Sequence, residues 1–142
     1  MLLSSDLRGK KILLTGAYGF IGSHLRERLQ GLDLDARMWT SDVTELQAFN
    51  EPVDWVVHLA AAGSHQKFVD DMQGSYKTNV VGTLAVLDYC RRSNAKCIFT
   101  STSGLYKESI NGIPVSETSK IEPSHPYALS KWMGEEICKL QS

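Results

Sequence analysis

Lys11-Ile12-Leu13-Leu14-Thr15-Gly16-Ala17-Tyr18-Gly19-Phe20-Ile21-Gly22 is the stretch from which the fold is read. Its first half is a short, continuous apolar run rich in strand formers and closed by a glycine, which suits a strand buried on both faces of a parallel sheet. Past the glycines, Ile21, Leu25 and Leu29 recur at four-residue intervals with Arg26, Glu27 and Arg28 between them, the pattern of an amphipathic helix ending near Gly31. The junction between strand and helix is where glycine has work to do. Gly16 permits the tight turn out of the strand, Gly19 lets backbone approach a pyrophosphate closely, and Gly22 lets the helix pack tightly on the strand. A phosphate placed there meets free amides and the positive end of the helix dipole.

Working outward, residues 36–40 and 54–59 read as further strands, the latter preceded by Pro52. Residues 78–92 are helical by pattern, with Val80, Leu84 and Leu87 on one face and Arg91-Arg92 in the last turn. Residues 96–101 read as another buried strand, and a polar, proline-bearing loop runs over 107–126. A final helix begins near Tyr127 and carries Met133, Ile137 and Leu140 on one stripe. Strands alternating with helices predict an α/β domain built on a parallel sheet.

Composition narrows the class. With 142 residues, 42% hydrophobic and 22% charged, the sequence has the balance of one soluble globular domain. A net charge of -1 offers no electrostatic footprint for nucleic acid or an anionic membrane, so neither is expected as a partner. No stretch approaches the ~20 apolar residues of a membrane span, and residues 1–11 do not have the order of a signal peptide. Cys90, Cys97 and Cys138 are odd in number and lack metal-like spacing, which fits thiols in a reducing cytoplasm. His24, His58, His65 and His125 are also spaced unlike metal ligands, so no metal site is expected.

Tyr127-Ala128-Leu129-Ser130-Lys131 places a tyrosine and a lysine at i and i+4, on one face of a helix. A phenol with pKa near ~10 is a poor base at neutral pH. A nearby ammonium favours the phenolate and lowers that value. The lysine can also hold a cofactor ribose. Phe99-Thr100-Ser101-Thr102-Ser103-Gly104, at the end of the strand before the long loop, offers hydroxyl partners.

Thr15-Gly16-x-x-Gly19-Phe20-Ile21-Gly22 has G-x-x-G-x-x-G spacing and resembles the fingerprint of the extended short-chain dehydrogenases/reductases of NAD-dependent epimerase/dehydratase type. That family comprises nucleotide-sugar epimerases, dehydratases and reductases. Further segments match in the family's order, from Lys11 to about Leu140. His58-Leu59-Ala60-Ala61 resembles its small-residue segment beneath the cofactor, and Asp42-Val43 the segment that touches the adenine ring. Asn79, in Thr78-Asn79-Val80-Val81-Gly82-Thr83, matches a helix asparagine that helps order the active site. The family's catalytic Ser or Thr lies four residues before a tyrosine in a similar segment, so the resemblance, with Tyr106 as that tyrosine, implies Thr102 as the catalytic hydroxyl.

The resemblance implies a three-layer Rossmann-type, doubly wound parallel sheet and a nucleotide-sugar substrate. It implies cofactor binding by Gly16, Gly19, Phe20, Ile21, Gly22, Asp42, Val43, Leu59, Ala60, Ala61 and Lys131. Tyr127 would be the general acid/base, Lys131 would lower its pKa and hold the ribose, Thr102 would hydrogen-bond the reacting oxygen, and Asn79 would order the site. The helices around 78–92 and 127–140 would pair across a homodimer.

The sequence departs from the pattern in three ways. It stops shortly after the helix carrying Lys131, so residues 1–142 are expected to form an NAD(P)-binding Rossmann domain that is incomplete and lacks the substrate-binding domain. By that expectation it is a shortened form or a split product, inactive alone. The region between Gly31 and Asp54 is short, and no acidic residue stands clearly at the end of the second strand while Arg37 lies within it, which leaves NAD and NADP both open. Ser103-Gly104 stands where the family's 4,6-dehydratases carry acids, which favours epimerisation or keto reduction over dehydration. A second class stays open, a non-catalytic NAD(P)-binding sensor or scaffold, although a sensor needs no acid/base tyrosine.

Overall fold

The computed structural model describes residues 7–106 and 114–141. Part of the expected 107–126 loop, residues 107–113, lies outside them. Four strands form one parallel sheet in the order β2-β1-β3-β4: β1 is Lys11–Thr15, β2 Asp35–Trp39, β3 Trp55–His58 and β4 Lys96–Phe99. The chain steps from β1 to β2 on one side, then returns to place β3 and β4 on the other. That reversal at β1 makes the sheet doubly wound, as expected.

The two faces of β1 explain why its apolar run is continuous. Leu13 and Val56 point to one face, where they join Val43, Leu46, Val86, Tyr89 and Cys90 in one core cluster. Ile12 and Leu14 point to the other, where they meet Ala17, Leu29 and the half-buried Leu25. Helix α1 (Phe20–Leu29) therefore covers one face, and α4 (Gly82–Ser93) with a 3-10 helix over Val43–Ala48 covers the other. Helix α5 (Pro126–Gln141) packs beside α4, with Gly134 against the ring of Phe99. Three layers result, with burial on both sides of β1.

The segment between β3 and α4 is more structured than its polar sequence predicts. Two short helices, α2 (His65–Asp70) and α3 (Met72–Tyr76), precede a π-helical turn over Lys77–Val81 that runs directly into α4. Ser64 caps α2 by accepting from the Lys67 amide, and Asp71 caps α3 by accepting from that of Gly74. Helix α4 ends on Asn94, which takes a left-handed conformation at φ 55° and turns the chain into β4. The predicted strand over 96–101 is shorter, since Thr100 to Thr102 leave the ladder as an extended loop.

Between β2 and β3 the chain has only the 3-10 helix, so β2 is an edge strand. No helix among the described residues is long and apolar enough to cross a membrane.

Candidate active site

The strand order reverses between β1 and β3, and open α/β sheets bind ligands outside the carboxyl ends of strands at such a point. A cleft of about 410 Å³ opens there, lined by residues 16–19, 39–43, 59–61 and Thr78. Gly16 takes φ 68°, and a Cβ on it would stand 2.6 Å from the amide nitrogen of Ala60. Only glycine lets the two loops meet. A Cβ on Gly22 would overlap the Gly16 carbonyl oxygen and come within 2.7 Å of Ala17 Cα, so Gly22 serves the contact between α1 and the loop. A Cβ on Gly19 would stand 3.3 Å from the Gly16 carbonyl oxygen, a tight contact that glycine avoids.

Helix α1 starts with no side-chain cap. Its first-turn amides, those of Phe20 and Ile21 among them, have no acceptor within the helix. The side chains of Phe20 and Ile21 point to solvent, at 84% and 61% exposure, so these two candidates can offer the cleft only backbone. Asp42 and Val43 lie in the cleft wall, and the Asp42 carboxylate also accepts from Thr44 N at 2.9 Å and Thr44 Oγ1 at 2.8 Å. Those hydrogen bonds hold its pKa below the usual carboxylate value. Arg37 is not aimed at the cleft. It pairs with Asp35 at 2.9 Å and with Glu51.

Beneath the cleft runs a buried chain of hydrogen bonds. The Ala60 amide donates to Thr15 Oγ1 at 3.2 Å, and Thr15 Oγ1 lies 2.7 Å from His58 Nδ1. On the far side of the ring, His58 Nε2 lies 3.1 Å from Thr83 Oγ1, whose hydroxyl donates to the Asn79 carbonyl at 2.7 Å. Because Thr83 spends its proton on Asn79, it accepts from Nε2–H, and His58 Nδ1 is left to accept from Thr15. Burial keeps the imidazole neutral near pH 7. Burial, with the charge of Lys131 nearby, pushes its pKa down from 6.5 to about 3.

Asn79 sits in the middle of the π-helical turn, 2% exposed. Its Oδ1 accepts from Ala62 N at 2.7 Å, and its Nδ2 donates to Ala62 O at 3.3 Å and to Ser130 Oγ at 2.9 Å. Ser130 Oγ in turn donates to the Tyr127 carbonyl at 2.7 Å. Sequence reasoning places Asn79 among the catalytic candidates; the structure gives it the geometry of a positioning residue, with each polar atom of its side chain engaged.

Helix α5 carries Tyr127 in its first turn and Lys131 one turn later. Tyr127 is half-buried, packed edge-on against Phe68 with ring centroids 6.2 Å apart. Lys131 is 3% exposed, and its ammonium lies 4.0 Å from the centroid of the Phe99 ring at the end of β4. Desolvation lowers its pKa from 10.5 to about 8. Thr102 precedes a 3-10 turn over Ser103–Leu105 and accepts from the Gly104 amide at 3.2 Å, which leaves its hydroxyl proton to donate elsewhere. Ser101 and Ser103 face solvent.

Sequence reasoning did not find Trp39, Thr40, Ser41, Tyr18 and Thr78 in the cleft wall. It also missed Ser130, whose signal was its place between Tyr127 and Lys131 on the helix. His125, read only as a non-ligand, stacks on Tyr127. No group of residues suited to hold a metal ion occurs among the described residues.

The family model for the NAD dependent epimerase/dehydratase family matches residues 12–141. The chain is 31% identical to a putative UDP-glucose 4-epimerase of Methanocaldococcus jannaschii, covering 91% of this chain and 50% of that protein. It is 32% identical to the UDP-glucose 4-epimerase of Mycolicibacterium smegmatis, over 88% of this chain and 49% of the relative. The chain thus spans about half the length of the curated relatives it matches. Among solved structures, the UDP-Glc/GlcNAc 4-epimerase of Campylobacter jejuni superimposes with a TM-score of 0.85 at 28% identity, over 94% of this chain and 49% of that one. The Thermus thermophilus UDP-glucose 4-epimerase in complex with NAD gives 0.81 at 30% identity, over 92% and 50%.

Two buried bases each make stability rise with pH, in two separate windows. Between pH 6.5 and 3 the unfolded chain holds a proton at His58 that the folded chain does not, so stability falls as pH drops through that range. Between pH 8 and 10.5 the unfolded chain holds a proton at Lys131 that the folded chain has lost, so stability rises with pH. Urea midpoints across pH should show the second rise in the unaltered protein and not in Lys131→Met. A His58 imidazole seen by NMR to titrate near pH 6.5 would contradict the first.

Proposed function

We propose that this chain, which belongs to the NAD-dependent epimerase/dehydratase family over residues 12–141, is the cofactor-binding part of an enzyme that transfers hydride reversibly at a carbon of a nucleotide sugar. The observation that carries the reading is the placing of Tyr127 and Lys131 one turn apart on α5, with the Lys131 ammonium 4.0 Å from the Phe99 ring at the end of β4 and Thr102 just past Phe99 in the chain. The cleft fits a dinucleotide: a glycine turn that brings backbone close, uncapped helix amides for the pyrophosphate, and a floor of Leu59, Ala60 and Ala61 that keeps the ribose and nicotinamide ends clear. Its lining includes the Asp42 carboxylate and neither lysine nor arginine, while Arg37 is tied to Asp35 and Glu51. That favours the 2′-hydroxyl of NAD over the 2′-phosphate of NADP.

Once bound, the nicotinamide supplies the acceptor and donor of hydride. Tyr127 Oη removes the proton from the sugar hydroxyl during oxidation and returns it during reduction. Lys131, an ammonium below pH 8 one turn along α5, holds the ribose of the bound cofactor. Thr102 donates its free hydroxyl proton to the same sugar oxygen and so orients it. Asn79 and Ser130 hold the first turn of α5 and thereby the Tyr127 backbone. The names of the relatives support a UDP-sugar as substrate, and Gly104, with no acid to assist loss of water, supports epimerisation or keto reduction.

In the full-length protein, Tyr127→Phe should lower turnover of a UDP-sugar by about 10²–10⁴, the typical contribution of a positioned acid/base. Binding should stay intact and be tighter for NAD⁺ than for NADP⁺ by calorimetry. Turnover undiminished by Tyr127→Phe would instead favour a cofactor-sensing module.

A homodimer through α4 and α5 is part of the same proposal. Val81, Leu84 and Met133 are 47%, 41% and 39% exposed. Val81 and Met133 line an apolar groove with Met72 and Tyr76. Sedimentation should give the dimer mass and Leu84→Glu the monomer mass; an unaltered protein that is monomeric at tens of micromolar contradicts the dimer.

A further inference from the structure

Gly104 and His125 are distant in sequence and adjacent in space. A Cβ added to Gly104 would stand 3.2 Å from Nε2 and 3.6 Å from Cε1 of His125, and 3.6 Å from Oγ1 of Thr102. The missing side chain leaves room that the imidazole edge enters, with the Thr102 hydroxyl bordering the same space. The ring is fixed from behind. Its Nδ1 accepts from the Ala128 amide at 3.1 Å and so caps α5, and its plane lies 2° from that of the Tyr127 ring, with centroids 6.1 Å apart. With Nδ1 as acceptor, a neutral imidazole carries its proton on Nε2. No described residue accepts from that Nε2–H, and the side chain is exposed.

The cap alone does not account for this residue. Capping uses only Nδ1, and asparagine or serine meets that need with a smaller side chain. What histidine adds is a second polar atom, held rigidly beside Thr102 and on the Tyr127 side of the site.

We propose that His125 is a substrate-contacting residue, whose Nε2–H donates a hydrogen bond to an uncharged sugar oxygen next to the one handled by Tyr127 and Thr102. The inference rests on the hydride-transfer reading of this site. It makes Gly104 the complementary choice, since any side chain there displaces the ring.

His125→Asn separates the two jobs, because Asn keeps an acceptor for the Ala128 amide and lacks the reach to Gly104. In the full-length protein with NAD⁺ and UDP-glucose, His125→Asn should retain melting temperature and NAD⁺ affinity while kcat/KM falls roughly 3–10-fold, the worth of one neutral hydrogen bond. His125→Ala should show the same loss together with a lower melting temperature. Gly104→Ala should cost a similar factor in the unaltered protein and nothing further in the His125→Asn background. If His125→Asn restores the full kcat/KM while His125→Ala does not, the residue is a cap and the proposal is overturned. Tyr127→Phe without effect on turnover, or no turnover of UDP-glucose by the unaltered protein, removes the enclosing reading and this inference with it. A fall in His125→Asn alongside an inactive Tyr127→Phe leaves both standing.

Discussion

His58 accepts from Thr15 at Nδ1 and donates from Nε2 to Thr83, and the direction of each hydrogen bond in this series is forced by the next. Ala60 donates to Thr15, Thr83 donates to the Asn79 carbonyl, and Asn79 then reaches Ser130 and, through it, the Tyr127 carbonyl. One neutral ring thus connects the floor of the cleft to the helix that carries Tyr127 and Lys131. A protonated His58 would put a second charged donor, against Thr15, into a dry interior, and burial prevents this by holding its pKa near 3. No buried side-chain nitrogen or oxygen among the described residues is left without a partner, so the connection is made without loose ends.

That connection separates two kinds of constraint. Gly16 and Gly22 are fixed by close approach, since backbone or carbonyl atoms occupy the space a side chain would need. Asn79 and Ser130 are fixed by hydrogen bonding in a dry interior. Tyr127, Thr102 and His125 face outward from this frame with polar atoms still available. A rigid scaffold presenting a few unsatisfied groups is what hydride transfer at a sugar carbon requires, because the protein supplies orientation and proton handling.

The β1–glycine–α1 unit was legible because its signals are local: apolar run, turn glycines and helical periodicity lie within a dozen or so residues. That Tyr127 and Lys131 share one helix was legible for the same reason. The π-helical turn was not, since its register is held by Asn79 reaching Ala62 and Ser130, contacts that no local pattern encodes. Helices α2 and α3 were hidden because His65 to Tyr76 is mostly polar, with Phe68 the main apolar anchor. Arg37 looked available to a 2′-phosphate, and only the fold shows it turned to Asp35 and Glu51. His125 carried no sequence signal beyond its absence of metal-like spacing, because its meaning depends on Gly104 being brought beside it.

The central claim is that the cleft at the β1/β3 reversal holds a nicotinamide dinucleotide. Titrating NAD⁺ into ¹⁵N-labelled 142-residue chain and following amide resonances tests it most directly. Saturable shifts concentrated at Gly16 to Gly22, Asp42–Val43 and Leu59–Ala61, and propagating through Asn79 to Ser130, are the predicted result. Shifts confined to other surfaces, or none at millimolar NAD⁺, would contradict the account.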